Sequence, residues 1–369
     1  MKILQISFNL SSGGAERFVV DLSNELSKTN EVTLLTLKDD QVNPKSAQFY
    51  KFDLSPRVKY ENLGLPIKYS PFGLWKVYRY IKKMKPDVVH MHGGNMHRFC
   101  LLANFLLGRK CTFVLTIHSD MYHGYKNLEY DLIHATLGKW GWLRFAALSE
   151  KNYRDLCKLY PHSMETCITN GRAPIRRTGK FDEVTKEVDG YRTDSDTKVI
   201  IHVARCHPLK NQKLLIEGVN ELVAEGRNVT LIILGSAYDS ELGQQLKAMA
   251  CSAIHFLGPK TNVSDYLLNA DLFTLSSEYE GMPISMLEAM LCGLPMVSTP
   301  VCGAVDVIDG KNGLLSKDFT KAEYVKALRT VLDHLDEFKA NAQAGKENSP
   351  YTIERCAEKY VEFYKMHRG

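Results

Sequence analysis

The chain has 369 residues, of which 44% are hydrophobic and 24% are charged. These proportions are typical of a folded globular protein and exclude a largely disordered chain, while the length favours two or three domains over one core. The nine cysteines include no Cys-x-x-Cys pair. That pattern argues against a zinc site or a disulfide scaffold, and it predicts a reducing, cytoplasmic setting.

No part of the sequence is typical of a membrane-spanning segment. The longest apolar stretch, residues 99–108, is much shorter than the ~20 residues that cross a bilayer. The apolar start of the chain is interrupted by Gln5 and Ser7 and lacks a cleavage-like site, so we predict a first strand there and not a signal peptide.

Charge is distributed unevenly along the chain. Residues 1–180 hold 27 Lys and Arg against 15 Asp and Glu, a net +12, whereas the remainder has a net −7. A basic first half indicates contact with an anionic partner, such as a lipid surface or a phosphate-bearing acceptor. Residues 71–85 combine four aromatic and five basic residues. They predict either a helix lying on an anionic membrane or an ordinary helix that covers a sheet.

Strand-like runs alternate with amphipathic, helix-like runs in the first half of the chain. Such alternation predicts a parallel sheet with helices on both faces. The strands are predicted at residues 2–8, 31–37, 87–92, 112–118, 144–149 and 166–170. The helices are predicted at residues 15–27, 73–84 and 151–159.

The second half repeats this alternation without any sequence repeat. Its strands are predicted at residues 198–204, 229–235, 253–257, 272–276 and 296–299. Its helices are predicted at residues 211–224, 240–250, 263–269 and 285–291, and two closing helices at 320–340 and 352–367. The predicted division is a first domain at 1–172 that also takes 352–369, a linker at 173–197, and a second domain at 198–351.

A glycine pair follows the first predicted strand and opens the first predicted helix. Gly13 and Gly14 stand in Ser-Ser-Gly-Gly-Ala-Glu-Arg, where glycine lets the backbone approach a ligand and the helix start offers N–H donors. The segment is not Gly-x-Gly-x-x-Gly, so it indicates dinucleotide binding only weakly. A plain tight turn is the alternative interpretation.

Histidines end two of the strands predicted in the first half. His92 and His118 lie at ends where ligands bind in open α/β sheets, and an imidazole there can hydrogen-bond a sugar hydroxyl or stabilise a leaving phosphate. His90, His92 and His97 lack the nearby Cys, Asp or Glu that would complete a metal site. A structural histidine is the alternative for His118.

Two cations follow the first strand of the second half. Arg205 and Lys210 lie in a loop immediately before a predicted helix, a position that suits an anionic group. Asp194-Ser195-Asp196 mimics a metal-binding Asp-x-Asp pair, but its turn-forming neighbours favour a turn.

The most informative stretch is residues 277–291, Ser-Glu-Tyr-Glu-Gly-Met-Pro-Ile-Ser-Met-Leu-Glu-Ala-Met-Leu. It places Glu280 in a loop and Glu288 eight residues later, inside a predicted helix. Carboxylates accept hydrogen bonds from paired sugar hydroxyls, and the N–H groups of a helix start receive phosphate oxygens. The combination predicts a ligand that carries both hydroxyls and phosphate.

These motifs resemble those of the retaining GT-B glycosyltransferases, specifically glycosyltransferase family 4 (glycosyl transferases group 1). The match comprises the E-x7-E pair with its glycines and prolines, Arg-x(4)-Lys-Asn at 205–211, His118, and Gly-Gly-Ala-Glu-Arg at 13–17. The resemblance implies two doubly wound, Rossmann-like domains facing each other across a cleft, with the last helix crossing back to the first domain.

The resemblance also implies the reaction and the roles of individual residues. The expected activity is metal-independent transfer of a sugar, with retention, from a nucleoside-diphosphate sugar, expected to be UDP-linked, to a glycan or lipid-linked acceptor in surface polysaccharide synthesis. Catalysis is expected from Glu280, His118, Arg205 and Lys210. Donor binding is expected from Gly13, Gly14, Arg205, Lys210, Met282, Pro283, Ile284, Ser285 and Glu288. No metal, further cofactor or nucleic acid is expected.

Within the family's pattern, Glu288 accepts the ribose hydroxyls and Glu280 orients the donor sugar. Asp306 departs from it, because that position commonly carries Glu. Four alternatives remain open at the level of sequence: a nucleotide-sugar epimerase, a sugar phosphorylase, a non-catalytic sugar-nucleotide-binding protein and a nicotinamide oxidoreductase. The last two are disfavoured because Glu280 and Lys210 are present and the glycine fingerprint is poor.

Overall fold

The structure is a computed structural model. It describes residues 1–38, 41, 47–66, 70–93, 96–108, 110–118, 128–160 and 165–367. The chain forms two compact units, Met1–Ala173 with Tyr351–Gly369, and Pro174–Pro350. Each unit is built around a parallel sheet.

The first unit contains a seven-stranded sheet with the order β3-β2-β1-β4-β5-β6-β7. Its strands are β1 (Lys2–Ser7), β2 (Glu31–Lys38), β3 (Lys59–Leu65), β4 (Val88–His92), β5 (Thr112–Ile117), β6 (Leu143–Ala147) and β7 (Glu165–Cys167). The strand order reverses direction between β1 and β4. In a doubly wound sheet, the carboxyl ends of the strands at this switch point form the usual ligand site.

Five helices connect these strands within the residues that the structure describes. They are α1 (Gly14–Leu26), α2 (Pro71–Met84), α3 (Met96–Leu107), α4 (Leu128–Ile133) and α5 (Glu150–Leu159). A five-residue π-helix, His134–Gly138, continues directly from α4. The helices start where the sequence supplies caps: the hydroxyls of Ser70 and Ser149 accept hydrogen bonds from the N–H groups of Gly73 and Asn152.

The two faces of the first sheet differ in chemistry because side chains alternate along each strand. One face carries Leu4, Ile6, Val89, Met91 and Leu115, which are buried in the apolar core with the helices that cover it. The opposite face carries a buried polar row of Gln5, His90, His92 and Thr116. The first sheet therefore has one ordinary core face and one face on which a polar row lies beside buried apolar residues such as Ile3 and Val114.

The second unit contains a six-stranded sheet with the order β10-β9-β8-β11-β12-β13. After α6 (Phe181–Asp189) come β8 (Lys198–Val203), α7 (Gln212–Ala224), β9 (Val229–Leu234), α8 (Glu241–Met249), β10 (Ile254–Gly258), α9 (Val263–Leu268) and β11 (Leu272–Leu275). They are followed by α10 (Ile284–Cys292), β12 (Met296–Ser298), α11 (Ala304–Val307), β13 (Gly313–Leu315), α12 (Lys321–Asp333) and α13 (Leu335–Lys346). The switch point of this sheet lies between β8 and β11.

The last helix, α14 (Ile353–Met366), belongs to the first unit and not to the second. It packs on α1, and two of its buried tyrosines bond the polar row of the first sheet. The Tyr360 hydroxyl lies 2.9 Å from Thr116 Oγ1, and the Tyr364 hydroxyl lies 2.6 Å from His90 Nδ1. These bonds confirm the predicted return of the final helix to the first domain.

Two sequence predictions need correction. Residues 173–197, predicted as a linker, include α6, which buries Val184 and Val188 and accepts a hydrogen bond from Tyr266 through Glu187. Strands β3 and β13 were not predicted. β3 (Lys-Tyr-Glu-Asn-Leu-Gly-Leu) is a polar edge strand and β13 has only three residues, so neither presents the apolar pattern of a central strand.

Within the described residues, no helix has both the length and the apolarity that crossing a bilayer requires.

Candidate active site

The second unit brings two predicted site residues together at its switch point. Lys210 lies in the loop after β8, and Glu280 lies in the loop after β11, the neighbouring strand. Lys210 Nζ is 2.5 Å from Glu280 Oε1, and their side chains are 27% and 11% exposed. A cation and a carboxylate thus form a partly exposed ion pair at the sheet edge where ligands bind.

Hydrogen bonds from neighbouring hydroxyls hold Glu280 in place. Ser277, which is fully buried, donates its hydroxyl to the same Oε1 atom at 2.7 Å. Thr299, which follows β12, donates to the Ser277 carbonyl at 2.5 Å. Glu280 is therefore fixed through two buried hydroxyl groups that link β11 and β12.

The two loops are also joined through their backbones. Ser276 Oγ donates to the Lys210 carbonyl at 2.9 Å, and the Glu278 N–H donates to the Leu209 carbonyl at 2.9 Å. Lys210 ends a short 3₁₀ turn, and Asn211 then adopts a left-handed conformation with φ +46° before α7 begins. Asn tolerates this conformation better than most residues, which explains the Lys-Asn order in the motif.

Arg205 lies in the same loop as Lys210 but is exposed. Its carbonyl accepts a 2.9 Å hydrogen bond from Gln212 Nε2, which fixes the backbone at the loop's start. Among the ion pairs of the described residues, none includes the Arg205 guanidinium. The loop thus presents one cation bound to Glu280 and a second directed to solvent.

The loop before α10 holds the predicted donor-binding run. Met282, Pro283 and Ile284 are buried, whereas Ser285 and Glu288 are partly exposed. Pro283 precedes the nine-residue helix and supplies no side-chain cap. Its carbonyl accepts from the Met286 N–H at 3.2 Å, so the N–H groups of Ile284 and Ser285 are the ones placed for another acceptor. Glu288 lies in the second turn of α10.

Gly303 packs directly against the backbone of this loop. It has φ +47°, and a Cβ atom there would lie 2.7 Å from the Gly281 carbonyl oxygen and 2.8 Å from Met282 Cα. Both contacts are to backbone, so a larger residue would displace the loop that carries Glu280. Gly303 is therefore a support of the site that the sequence pattern did not assign.

His202 lies on β8 beneath these loops. It is fully buried, and its Nδ1 lies 2.9 Å from the Thr274 carbonyl of β11. Burial lowers the pKa of His202 to about 4, which keeps the ring neutral beside the Lys210–Glu280 pair.

At the switch point of the first unit, Gly13 caps α1 and Gly14 is its first residue. The Glu16 side chain folds back over Gly13: a Cβ atom there would lie 2.2 Å from Glu16 Oε2. Ser11 Oγ lies 3.3 Å from Glu16 Oε1. This carboxylate at the start of α1 is a feature that the sequence predictions did not include.

His118 follows β5 at the same edge and is paired with a histidine of β4. Its Nε2 lies 3.2 Å from His92 Nδ1, and His92 Nε2 lies 2.6 Å from Gln5 Oε1. Burial lowers the pKa of His118 to about 4 and that of His92 well below its usual range. The predicted catalytic histidine is therefore neutral and bonded to a second one.

The remaining histidines of the predicted segment have protein partners. His90 Nε2 lies 2.6 Å from Thr116 Oγ1, and His97 Nε2 lies 2.8 Å from Glu129 Oε1. The prediction that Asp194-Ser195-Asp196 forms a turn is confirmed, because Asp194 Oδ1 accepts hydrogen bonds from the N–H groups of Asp196 and Thr197. Gly94 and Asn95 lie outside the described residues.

Sequence reasoning missed several residues that support these sites, namely Gln5, Ser277, Thr299, His202 and Gly303. Only a weak signal pointed to them. Gln5 and His202 are polar residues inside otherwise apolar strands, and Ser277 lies three residues before Glu280.

Comparison with known families gives a match over most of the chain. Residues 197–334 match the family described as glycosyl transferases group 1, and residues 12–171 match glycosyltransferase family 4. Together these segments span both units. The chain belongs to the family 4, or group 1, glycosyltransferases.

Individual relatives share only a low sequence identity with the chain. The chain is 23% identical to the O-antigen biosynthesis glycosyltransferase WbnH of Escherichia coli over 363 residues, 94% of each chain. It is 27% identical to an E. coli UDP-Gal:α-D-GlcNAc-diphosphoundecaprenol α-1,3-galactosyltransferase over 265 residues, 67% of this chain and 64% of the relative.

Solved structures share the fold. Anabaena Alr3699/HepE, crystallised with UDP and glucose, has a TM-score of 0.80 at 18% identity, covering 99% of this chain and all of the other. WaaG, a glycosyltransferase involved in lipopolysaccharide biosynthesis, has a TM-score of 0.74 at 18% identity, covering 98% and 99% of the two chains. The predicted fold class, α/β with two parallel, doubly wound sheets, is confirmed.

Proposed function

We propose that this glycosyltransferase moves a sugar, with retention and without a metal ion, from a UDP-sugar to a hydroxyl of a glycan or lipid-linked saccharide. The observation that carries the proposal is the Lys210–Glu280 pair at the switch point of the second unit, close in sequence to the uncapped start of α10. A diphosphate needs fixed positive charge, and a sugar needs a fixed acceptor of hydroxyl protons. Both lie in adjoining loops.

The UDP-sugar donor and the type of acceptor are inferred from relatives. One relative is described as acting with UDP-Gal on a diphosphoundecaprenol-linked sugar, and WbnH as acting in O-antigen biosynthesis. HepE has been crystallised with UDP-glucose. A donor of this class would place its diphosphate at Lys210 and Arg205, its ribose at Glu288 and its sugar hydroxyls at Glu280.

In the proposed step, the acceptor oxygen bonds to the anomeric carbon on the face from which the diphosphate departs. The bond between that carbon and the phosphate oxygen breaks, and the acceptor's proton passes to the departing phosphate. Lys210 and Arg205 stabilise the charge that develops on this phosphate. The step needs no enzyme carboxylate as nucleophile, which distinguishes it from glycosidase double displacement.

Lys210 can bind the donor without releasing Glu280. Its ammonium group has three N–H donors and bonds Glu280 with one of them, so another can donate to a phosphate oxygen. Glu280, still bonded by Ser277, would then accept from the sugar. The ion pair therefore keeps both groups at the site before the donor arrives.

Calorimetric titration with UDP, GDP, ADP and NAD, each with and without a chelator, tests the nucleotide site. We expect one nucleoside diphosphate to bind equally well with chelator present, and the binding to disappear in Lys210→Ala. Lys213→Ala is the matched control, because Lys213 is exposed one turn further along on α7. Binding of NAD alone, or loss of binding with chelator, would contradict the proposed site.

Glu280→Gln tests the sugar-binding role separately. The amide keeps the shape of the side chain but removes its charge, so we expect UDP affinity to stay nearly intact while sugar transfer is lost. Unchanged turnover in this variant would remove Glu280 from the proposed role. Calorimetric titration measures the UDP affinity, and coupled detection of released UDP measures sugar transfer.

Peripheral contact with an anionic membrane is a second part of the proposal. Helix α2 buries Val77 and Ile81 but leaves Phe72 63% and Trp75 46% exposed. Arg79 lies 4.8 Å over the Trp75 ring. The neighbouring helix α3 exposes Leu101, Phe105 and Leu106. Exposed aromatic and basic residues on one helix suit the interface of an anionic bilayer.

Co-sedimentation with phosphatidylglycerol vesicles, compared with phosphatidylcholine vesicles, tests this contact. We expect binding to the anionic vesicles only, weakened by Trp75→Ala and by Arg79→Glu. Lys247→Glu, which makes the same change of charge at an exposed position of α8, is the control. Equal losses in Arg79→Glu and Lys247→Glu would indicate an effect of net charge and not of this surface.

A further inference from the structure

A buried histidine of the second sheet lies beneath the Lys210–Glu280 pair and uses only one of its ring nitrogens. His202 lies on β8 and is fully buried. Its Nδ1 is 2.9 Å from the Thr274 carbonyl oxygen of the neighbouring strand β11. Among the residues that the structure describes, none forms a hydrogen bond with its Nε2. This nitrogen is therefore available for a further hydrogen bond.

The Nε2 atom of His202 is an acceptor and not a donor. A carbonyl oxygen only accepts, so the bond to Thr274 places the proton of a neutral ring on Nδ1 and leaves a lone pair on Nε2. Burial lowers the pKa of His202 to about 4, so the ring is neutral at physiological pH. A buried acceptor without a donor is energetically costly, and a partner for Nε2 is therefore to be expected.

The hydroxyl groups on the neighbouring strand have already donated their protons. Thr274 Oγ1 donates to a carbonyl of β12 at 3.0 Å, and Ser276 Oγ donates to the Lys210 carbonyl at 2.9 Å. The ammonium group of Lys210 has three N–H donors, and Glu280 accepts one of them. The charges of Lys210 and Glu280 both affect the pKa of His202, so the pair lies close to the ring. The ammonium group is thus a nearby donor with N–H groups to spare.

Binding of a diphosphate would change the surroundings of this ammonium group. The Lys210 side chain is 27% exposed, so solvent can reach the N–H groups that Glu280 does not bond. A bound diphosphate accepts one of these N–H groups and shields the other from solvent. The shielded N–H then needs an acceptor in the protein. Because the lysine side chain is flexible, a small rotation can bring this N–H to His202.

We propose that His202 is a positioning residue for Lys210: once a diphosphate is bound, its Nε2 accepts one N–H of the ammonium group, while Glu280 and a phosphate oxygen accept the other two. The inference rests on the proposed function, which places the diphosphate at Lys210. Two acceptors held by the protein determine the direction of the third N–H, because the angles between the three are fixed. A neutral imidazole also holds the cation without cancelling the charge that stabilises the departing phosphate.

The first test follows the Nε2 signal of His202 in two-bond ¹H–¹⁵N correlations of protein labelled with ¹⁵N-histidine. Its absence from the spectrum of His202→Gln assigns the signal. We expect the Nδ1–H tautomer with and without UDP. Saturating UDP should move the Nε2 signal upfield, as acceptance of a hydrogen bond does. The signal of His255, near the amino end of β10, is the control and should stay unchanged.

Two amide substitutions separate the roles of the two ring nitrogens. An asparagine amide reaches the position of Nδ1, so His202→Asn keeps a donor to Thr274 but lacks the second acceptor. A glutamine amide reaches the position of Nε2, so His202→Gln keeps that acceptor but loses the bond to Thr274. Calorimetric titration should show about tenfold weaker UDP binding in His202→Asn, near the lower end of what a hydrogen bond to a charged group contributes. His202→Gln should bind UDP nearly as tightly as the wild type.

A purely structural role of His202, through its bond to Thr274, predicts the opposite order of the two variants. Weaker UDP binding in His202→Gln than in His202→Asn would therefore overturn the inference. Urea unfolding checks that each variant is folded under the conditions of the titration. If either variant does not fold, the spectrum of the wild type decides, because it depends on no substitution at Thr274 or Lys210.

Three outcomes separate this inference from the proposed function. An Nε2–H tautomer, or an Nε2 signal that stays unchanged while UDP binds, rejects the positioning role alone. A wild type that binds no UDP rejects the diphosphate site at Lys210 and the positioning role with it. A wild type that binds UDP and shows the expected shift, but transfers no sugar, rejects the proposed reaction and leaves the role of His202 standing.

Discussion

The two switch points of this protein have the same topology and opposite chemistry. In each unit, a loop after the central strand lies beside a loop after the neighbouring strand of the other arm. In the first unit, the Glu16 carboxylate lies at the start of α1 after β1, the buried His92 ends β4, and His118 follows β5. In the second unit, these loops hold Lys210, Arg205 and Glu280. The fold determines which strand ends lie side by side, whereas the residue types at those strand ends determine what can bind.

The two units also differ in the buried residues that lie beneath these loops. The polar face of the first sheet is lined by several titratable rings, whereas His202 is the one strongly shifted histidine among the described residues of the second unit. The second site derives its charge from surface loops held by buried hydroxyls. Substitutions and acid should therefore affect the two units differently.

Lys210→Ala should remove the main charge of the second site. We expect sugar transfer to fall about 10²–10³-fold, the loss that follows removal of one preorganised donor to a developing oxyanion, with UDP binding lost as well. Steady-state kinetics with UDP-sugar measure the effect. Wild-type kinetics in this variant, with Lys213→Ala also unchanged, would show that the second switch point does not bind the diphosphate.

Gly303→Ala should distort the Glu280 loop without changing any charge. The new Cβ meets the Gly281 carbonyl oxygen at 2.7 Å and adopts φ +47°, so we expect a loss of unfolding free energy of about 1–3 kcal/mol together with reduced transfer. Urea unfolding measures the first effect.

Gly310→Ala is the control that separates the backbone strain of Gly303→Ala from its new Cβ contact. Gly310 has φ +84°, and no atom lies within 4 Å of a Cβ added there. An alanine at this position therefore introduces backbone strain without a new contact. Equal loss of transfer in the two variants would show that the contact of Gly303 with the 281–283 backbone is unimportant.

Acid should unfold the first unit before the second. Burial lowers the pKa of His134 to about 3 and of His118 to about 4, and those of His90 and His92 well below 6.5. Each pKa is lower in the folded than in the unfolded chain. At any pH between these two pKa values, the unfolded chain therefore binds more protons. The contribution of these histidines to the free energy of unfolding is complete above pH 6.5. It falls by about 1.4 kcal/mol per histidine and pH unit as the pH drops towards the folded pKa values.

The tryptophans make this order measurable, because the chain's three, Trp75, Trp140 and Trp142, all belong to the first unit. Their fluorescence should change at a higher pH than the circular dichroism of the whole chain. His134→Phe, which keeps the stack between Phe145 and Tyr160, should shift the fluorescence transition to lower pH. A dichroism change that precedes the fluorescence change would contradict the predicted order.

Arg205→Ala should have the smallest effect, about tenfold in transfer, equivalent to about 1.4 kcal/mol. Arg205 is exposed, and solvent screens its charge more than that of Lys210. Raising the salt concentration should reduce the difference between Arg205→Ala and the wild type. A loss as large as that of Lys210→Ala would mean that the two cations act as one unit.

The sequence predicted the fold class, most central strands and the residues at the strand ends. Strong apolar periodicity made the central strands recognisable. The E-x7-E and Arg-x(4)-Lys-Asn spacings made Glu280, Glu288, Arg205 and Lys210 candidates for the site. Strand β3 and helix α6 were missed because their residues are largely polar, and β13 was missed because it has only three residues. Their structure depends on tertiary contacts such as the bond from Tyr266 to Glu187, which local propensity does not encode.

The supporting residues were harder to predict for a different reason. Gln5 bonds His92, 87 positions away, and Thr299 bonds Ser277 from a different strand. One sequence cannot show which polar residues of a sheet will meet, because register and strand order determine it. Asp194 was interpreted correctly because its turn bonds reach only two or three residues along the chain.

The position of α14 has a consequence for biosynthesis. The first unit lacks the hydroxyls of Tyr360 and Tyr364, which bond Thr116 and His90, until these tyrosines have left the ribosome. Its strands are complete by Cys167. The second unit is contiguous in the chain and contains everything it needs by Pro350. At about 5–20 residues per second, the unit translated first therefore waits roughly 10–40 s for its last helix. The later unit is thus free to complete its fold before the earlier one.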